Sequence, residues 1–263
     1  MSDNADVQWR WIDEDPIEKL LRAPEAPHPS APSPAAGFLG AGYEQFGRLR
    51  FEEAAGSYAA AVAADPDHRT AHFDLAVCLE KTEQWMAAVN SFRRALEIDP
   101  GRTEAFIGMG ACLLHLDIHG EALDWFERSL ETGGDREAAL LGKAVALQKL
   151  LRYEEADAVY RGLLQANPNW AEPLANLIAL SIAREDTASA YEYSRRLLRV
   201  HPRSKTALQG LATLAIRNGD QAGAVEYCTR LVEVDPDSFE GWFNLRYAQQ
   251  RMRPREQPAR SIA

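Results

Sequence analysis

The stretch His115-Leu116-Asp117-Ile118-His119 is the only part of this 263-residue chain with the composition of a metal site. Two imidazoles four residues apart share a face if both lie on one helix, but no third His or Cys stands near in sequence. A zinc or nickel site is therefore not expected; a solvated turn is. The three cysteines, Cys78, Cys112 and Cys228, are too few and odd in number for a disulfide framework. Cysteine also packs as a small hydrophobe, so Cys78 and Cys112 are read as core and not as nucleophiles. Glu52-Glu53 and Glu154-Glu155 look like solvated helix starts, where carboxylates favour the dipole. Gly108-Met109-Gly110 follows no strand, and strand-like alternation is absent throughout, so it is no nucleotide fingerprint. No catalytic constellation emerges. The chain is expected not to be an enzyme and to hold no cofactor or metal.

Composition points the same way. With 46% hydrophobic and 26% charged residues the balance is that of a globular protein. A formal net charge of −10 argues against nucleic acid or an anionic membrane as the main partner, since both need a basic footprint. No run of about 18 apolar residues is present to span a bilayer. The opening Met1-Ser2-Asp3-Asn4-Ala5-Asp6 is acidic without an apolar core, so a secretory signal is not expected and a cytoplasmic location is.

Elements that could position functional groups follow from a period. Pro66, Pro100, Pro168, Pro202 and Pro236 are spaced by 34 or 68 residues, and Gly134 fills the double gap. Six units result: 35–68, 69–102, 103–136, 137–170, 171–204 and 205–238. Their twentieth positions are Ala54, Ala88, Ala122, Ala156, Ala190 and Ala224; their eighth are Gly42, Ala76, Gly110, Ala144, Ile178 and Ala212. Apolar residues recur at helical spacing in each half-unit, as in Phe73, Ala76 and Val77 or Phe92, Ala95 and Leu96. Small residues at positions 8 and 20 let the two helices approach. The residue before Pro leaves αR and Pro cannot donate the next bond, which ends the second helix. One helix pair cannot bury its apolar face, so neighbours must stack. Residues 239–252 supply one more helix of the first type, turning polar at Gln249, Gln250 and Arg251, and read as a cap.

These features resemble the tetratricopeptide repeat (TPR). In the second unit, Leu75-Ala76, Leu79, Trp85, Ala88, Phe92, Ala95 and Asp99-Pro100 occupy the places of that pattern. The resemblance implies an all-α, right-handed α-solenoid of six helix–turn–helix units plus a C-terminal capping helix, over 35–252. Ile178, Ser181, Thr187 and Gln221 depart from the pattern, so the fifth and sixth units are expected to pack less tightly or to bend the array.

The resemblance also implies a binding mode. The first helix of each unit would line a concave groove. At its fifth and ninth positions stand Leu39, Tyr43, Phe73, Val77, Ile107, Leu141 and Phe243, an apolar stripe suited to an extended peptide or amphipathic helix. Gly40, Gly108, Gly142 and Gly210 at the sixth position would let a ligand backbone come near, and Asn176 and Asn244 could contact it through their amides. The basic clamp by which some TPR proteins hold a C-terminal carboxylate is missing; Asp74 and Glu104 would repel one.

Two tails flank the repeats. Residues 1–34 hold six of the 14 prolines, with a short amphipathic segment over 9–22 carrying Trp9, Trp11, Ile17, Leu20 and Leu21. It reads as a docking peptide for a partner, or for the groove of this chain or a second copy. Residues 253–263 form a basic tail. The function implied is a protein–protein interaction scaffold or adaptor for a protein or peptide partner. The alternatives are a self-occluded or self-assembling scaffold and an accessory domain regulating a partner enzyme.

Overall fold

The computed structural model describes residues 34–252, and thirteen α-helices make up the regular structure among them. In order they are α1 (Ala36–Gly47), α2 (Phe51–Ala64), α3 (Ala71–Lys81), α4 (Trp85–Ile98), α5 (Thr103–His115), α6 (His119–Glu131) and α7 (Arg136–Lys149). Then follow α8 (Tyr153–Ala166), α9 (Ala171–Ala183), α10 (Thr187–Val200), α11 (Lys205–Asn218), α12 (Gln221–Val234) and α13 (Phe239–Met252). Odd-numbered helices are the first of each hairpin, even-numbered ones the second, and among the described residues no second helix follows α13. The segment over 9–22, with Trp9, Trp11, Ile17, Leu20 and Leu21, and the basic tail 253–263 lie outside the described residues. These form two compact bodies, 34–159 and 160–252, taken in turn below.

One local device builds every hairpin. Leu49, Glu83, Asp117, Leu151 and Glu185 have φ between 58 and 61°, and Gly219 has φ 72°. These residues are 34 apart and each follows a first helix. In each the left-handed residue donates to a carbonyl three back, and the next residue to one five back: Leu151 N–H to Gln148 at 3.0 Å, Arg152 N–H to Leu147 at 2.9 Å. That is a Schellman cap, which satisfies two carbonyls the helix end leaves open. Five of the six sites use a residue with a Cβ, at a local cost of about 1 kcal/mol each. Between hairpins the chain turns at Asp65-Pro66, Asp99-Pro100, Asn167-Pro168, His201-Pro202 and Asp235-Pro236. The third hairpin lacks the proline and ends α6 on Gly133, φ 80°, with Gly134 N–H bonded to Ser129 O at 3.0 Å. Asp135 then caps α7 by accepting from Ala138 N–H at 3.2 Å.

In the body 34–159, rings at the twenty-fourth position lock the helices together. Tyr58, Phe92 and Phe126 are fully buried. Phe126 on α6 lies over two glycines at once: a Cβ at Gly110 of its own hairpin would meet Cζ at 2.7 Å, and one at Gly142 on α7 would meet Cε1 at 2.2 Å. Tyr58 covers Gly42 in the same way, and Phe92 covers Gly108 on the following hairpin. Phe92 also meets Phe73 edge to face, with centroids 5.6 Å apart.

In the body 160–252 side-chain volume is exchanged between facing helices. At the fifth hairpin position 24 shrinks to Ser194 while position 8 grows to Ile178; both are buried, and both would contact a Cβ at Gly210. Ser194 Oγ donates back to Ala190 O at 2.7 Å. The loosening expected at Ile178 is therefore not found: side-chain volume has moved from α10 to α9. Cys228 takes position 24 of the sixth hairpin and packs with Ala212, Val232 and Leu245 of α13. The last helix is less of a cap than its sequence suggests. Leu245 and Ala248 are buried, but Phe239, Trp242 and Phe243 are 84, 52 and 60% exposed. Arg246 stands at its eighth position, where the other hairpins carry Gly, Ala or, in the fifth, Ile, and is exposed.

Four outcomes test this packing. Gly142→Ala should lower stability by about 1–3 kcal/mol through overpacking on Phe126, and Phe126→Leu in the same chain should recover part of the loss. Gly40→Ala, which meets nothing within 4 Å, should not destabilise. Leu151→Gly, at a side chain 58% exposed, should raise stability by a net of about 0.5 kcal/mol, and Gly219→Ala should lower it by about 1 kcal/mol, both read from urea unfolding. Burial, aided by nearby carboxylates, pushes the Cys78 thiol up to about 12 and Cys228 to about 11, and raises Cys112 as well. A thiol reagent at pH 8 should therefore label none of the three within minutes in native protein, and all three in urea.

Candidate interaction surface

The first helices α1, α3, α5 and α7 carry the apolar residues picked out by position. The five at α1's fifth place and on the inner three helices are not surface at all. Leu39 and Cys78 pack in one cluster with Ala54 and Tyr58. Phe73, Val77, Ile107 and Leu141 are each at most 2% exposed. An odd-numbered helix inside a stack has neighbours on three sides, so its fifth and ninth positions are consumed by packing. Tyr43 differs, at 42% exposed, because α1 has no described hairpin before it.

The sixth-position glycines are also spoken for. The ring of Phe92 fills the space over Gly108, the ring of Phe126 that over Gly142, and Ser194 with Ile178 that over Gly210. They serve close approach of helices, and a ligand backbone has no access there. Gly40 alone of the four has open space.

Polar groups stand where sequence position gave no warning. Asp74 and Glu80 on α3 are almost fully buried. Asp74 acts on its surroundings: after burial itself, its charge is the next cause raising the Tyr58 phenol and the Cys78 thiol. Glu80 lies 3.6 Å from Lys81 Nζ. Arg102 places its guanidinium 4.0 Å above the Phe73 ring. The signal for these was charge at positions 6 and 12, where other repeats carry Gly, Asn or apolar residues.

The histidines diverge. His115, in the last turn of α5, stacks flat on Trp85 with centroids 3.9 Å apart, while His119 opens α6 with Nε2 3.3 Å from Asp117 Oδ1. Among the described residues no group of three or more His, Cys, Asp and Glu is placed to hold a metal ion. No described helix is long and apolar enough to cross a membrane.

In the body 160–252, Asn176 is buried and its Nδ2 donates to Glu172 O at 3.1 Å, one turn back on α9. Asn244 is half-buried on α13, beside exposed Phe243. Phe243 stacks on Phe239 at 6.4 Å, and Trp242 Nε1 donates to Pro236 O at 2.8 Å, which fixes the indole against the turn. Partial burial raises the Glu240 carboxyl on the same helix. Three of this body's five exposed large apolar side chains, Phe239, Trp242 and Phe243, thus stand on the first two turns of α13; Tyr191 and Met252 are the others.

Comparison with known proteins agrees with this architecture. A tetratricopeptide repeat model matches residues 39–103, 79–137 and 181–239, and a second matches 138–169. Among curated proteins none matches this chain. Among solved structures, the type IV pilus biogenesis factor PilW is similar with a TM-score of 0.71 at 21% identity, over 83% of this chain and 100% of its own. Pseudomonas aeruginosa PilF gives 0.65 at 19% identity, over 82% and 97%. YrrB, described as a TPR protein with an unusual peptide-binding site, gives 0.56 at 17%, over 74% and 99%. At these identities the likeness concerns the fold. With repeat matches over most of its length and a 34-residue hairpin recurring six times, the chain belongs to the tetratricopeptide repeat family.

Proposed function

We propose that this chain is a non-enzymatic scaffold that binds a peptide or amphipathic helix of a partner protein along the exposed parts of its first-helix face. TPR proteins in general mediate protein–protein interactions, and a peptide-binding member is among the structural neighbours. The observation that carries the reading is the apolar surface left open on α13, where Phe243 and its neighbours Phe239 and Trp242 stay in water. Aromatic side chains of this size dominate binding energy when a partner covers them. Phe243 supplies area there and Asn244 an amide for backbone register. In the other body Tyr43 is the contact residue. Leu39, Phe73, Val77, Ile107 and Leu141 set the floor beneath it, and Asn176 holds the α9 backbone. The buried members act through shape, the exposed ones through contact.

Photo-crosslinking tests this. The full chain with p-benzoylphenylalanine in place of Phe243 should give a discrete adduct with one partner in the cells that make it, and the same amino acid at exposed Leu151 should not. Phe243→Glu should weaken binding of that partner by at least about 2 kcal/mol, roughly 30-fold. Equal adducts from Leu151, or none from Phe243 and Tyr43 together, would remove the reading. An adduct mapping to residues 9–22 of the chain itself would assign the surface to self-occlusion.

A further inference from the structure

A different face of the body 160–252 carries a cleft of about 220 Å³ between the second helices α10 and α12, floored by Leu211 of α11. Three arginines converge on it: Arg195 and Arg199, one turn apart on α10, and Arg230 on α12. Neither Arg195 nor Arg199 has an ion pair among the described residues. Arg195 lies only over the Tyr191 ring, at 5.6 Å. Arg230 Nη1 is 3.9 Å from Glu226 Oε1 on its own helix, a long and exposed pair, and Nη2 donates to Pro202 O at 3.4 Å. Glu226 is the single acidic group in the lining, so the cleft keeps two positive charges in excess. That excess stands out in a chain of net charge −10. Residues 1–159 hold 15 Lys and Arg against 28 Asp and Glu, whereas 160–252 hold 11 against 10.

The rest of the lining narrows the ligand. Leu198 and Leu211 give an apolar floor, and Tyr227 a half-buried aromatic wall. Burial, with the charge of Glu226, raises the Tyr227 phenol, and Arg195 and Arg230, which line the same cleft, act to lower it. A small inorganic anion would satisfy the arginines but leave the half-buried Leu198 wet. A polyanion would meet the field of an acidic chain. A side-chain carboxylate pair next to an apolar residue satisfies both walls, because the guanidinium fork matches carboxylate geometry in bidentate fashion.

From this we infer that the α10–α12 cleft is a second binding site, for an acidic peptide segment of a partner protein in which adjacent Asp or Glu residues are flanked by a bulky apolar one. It uses second helices, so it is independent of the first-helix surface proposed above. The carboxylates pair with Arg195 and Arg199, and the apolar side chain covers Leu198 beside Tyr227.

The test pans a random 12-residue peptide display library against the full chain, then titrates a fluorescein-labelled copy of an enriched peptide. Enriched sequences should carry neighbouring acidic residues beside Leu, Ile or Phe. Arg195→Glu with Arg199→Glu should weaken binding at least tenfold, as should Arg195→Gln with Arg199→Gln, a milder pair that spares the fold. Arg203→Glu with Arg217→Glu, the same charge change elsewhere on this body, and Phe243→Glu should leave it within twofold. A library pool without excess Asp and Glu would overturn the inference, as would undiminished binding to both Arg195/Arg199 variants. Displacement of the peptide by inorganic phosphate at equal concentration would overturn it too, in favour of a free-anion site.

Discussion

Phe126 lies against two backbones at once, Gly110 of its own hairpin and Gly142 of the next, and neither has room for a methyl group between them. A ring held this way sets two separations together: that within a hairpin, and that between hairpins. Protein interiors pack like organic crystals, so such a contact tolerates little drift. Phe92, one hairpin earlier, makes the contact to the following hairpin at Gly108, and Tyr58, two hairpins earlier, the contact within its own at Gly42. The small residues at positions 6 and 8 of the first helices exist because of the ring, and the burial of Phe73, Ile107 and Leu141 beside them follows. Where the ring is lost, at Ser194, the opposing helix supplies the missing volume through Ile178. What is constrained is the sum of the two side chains, not either one.

The turns show the complementary behaviour, with fixed geometry and free identity. Leu, Glu, Asp, Leu, Glu and Gly occupy the same left-handed site in the six hairpins. Two backbone hydrogen bonds outweigh the local preference of any side chain there, because the helix end would otherwise leave its carbonyls unpaired. The returns between hairpins have a stronger local code in Pro, yet the third manages without one through Gly133. Backbone satisfaction thus decides the path of the chain, and side chains adjust to it.

That difference explains what the sequence made legible. The 34-residue period is readable from Pro66 to Pro236 because prolines mark returns directly, and the Ala series at position 20 keeps the register. Helix type and order follow from it. The site was less legible. Position numbers say that Phe73 and Ile107 sit on a first helix, but not that neighbouring hairpins cover them. Gly108 and Gly142 look like access for a ligand until Phe92 and Phe126 are seen above them. Phe243 reads as a residue of the ligand-facing stripe and is exposed, but its position says nothing of Trp242 and Phe239, which stand open beside it because nothing described follows α13. The arginine cleft was invisible for a related reason. Arg195 and Arg230 lie on different repeats, and only the α11 hairpin between them brings their helices side by side.

Arg246 adds a consequence for assembly. A stack of hairpins is an open-ended structure, and any terminal first helix with a small eighth residue offers a template for the second helix of another copy. Such a contact is head to tail and does not close, so it propagates into fibres. A second helix docking over α13 in the manner of Phe126 over Gly110 would have to bury the Arg246 guanidinium without a counter-charge, which is strongly unfavourable. The aromatic surface on α13 can therefore stay open to a partner of different shape without seeding polymerisation of the chain itself.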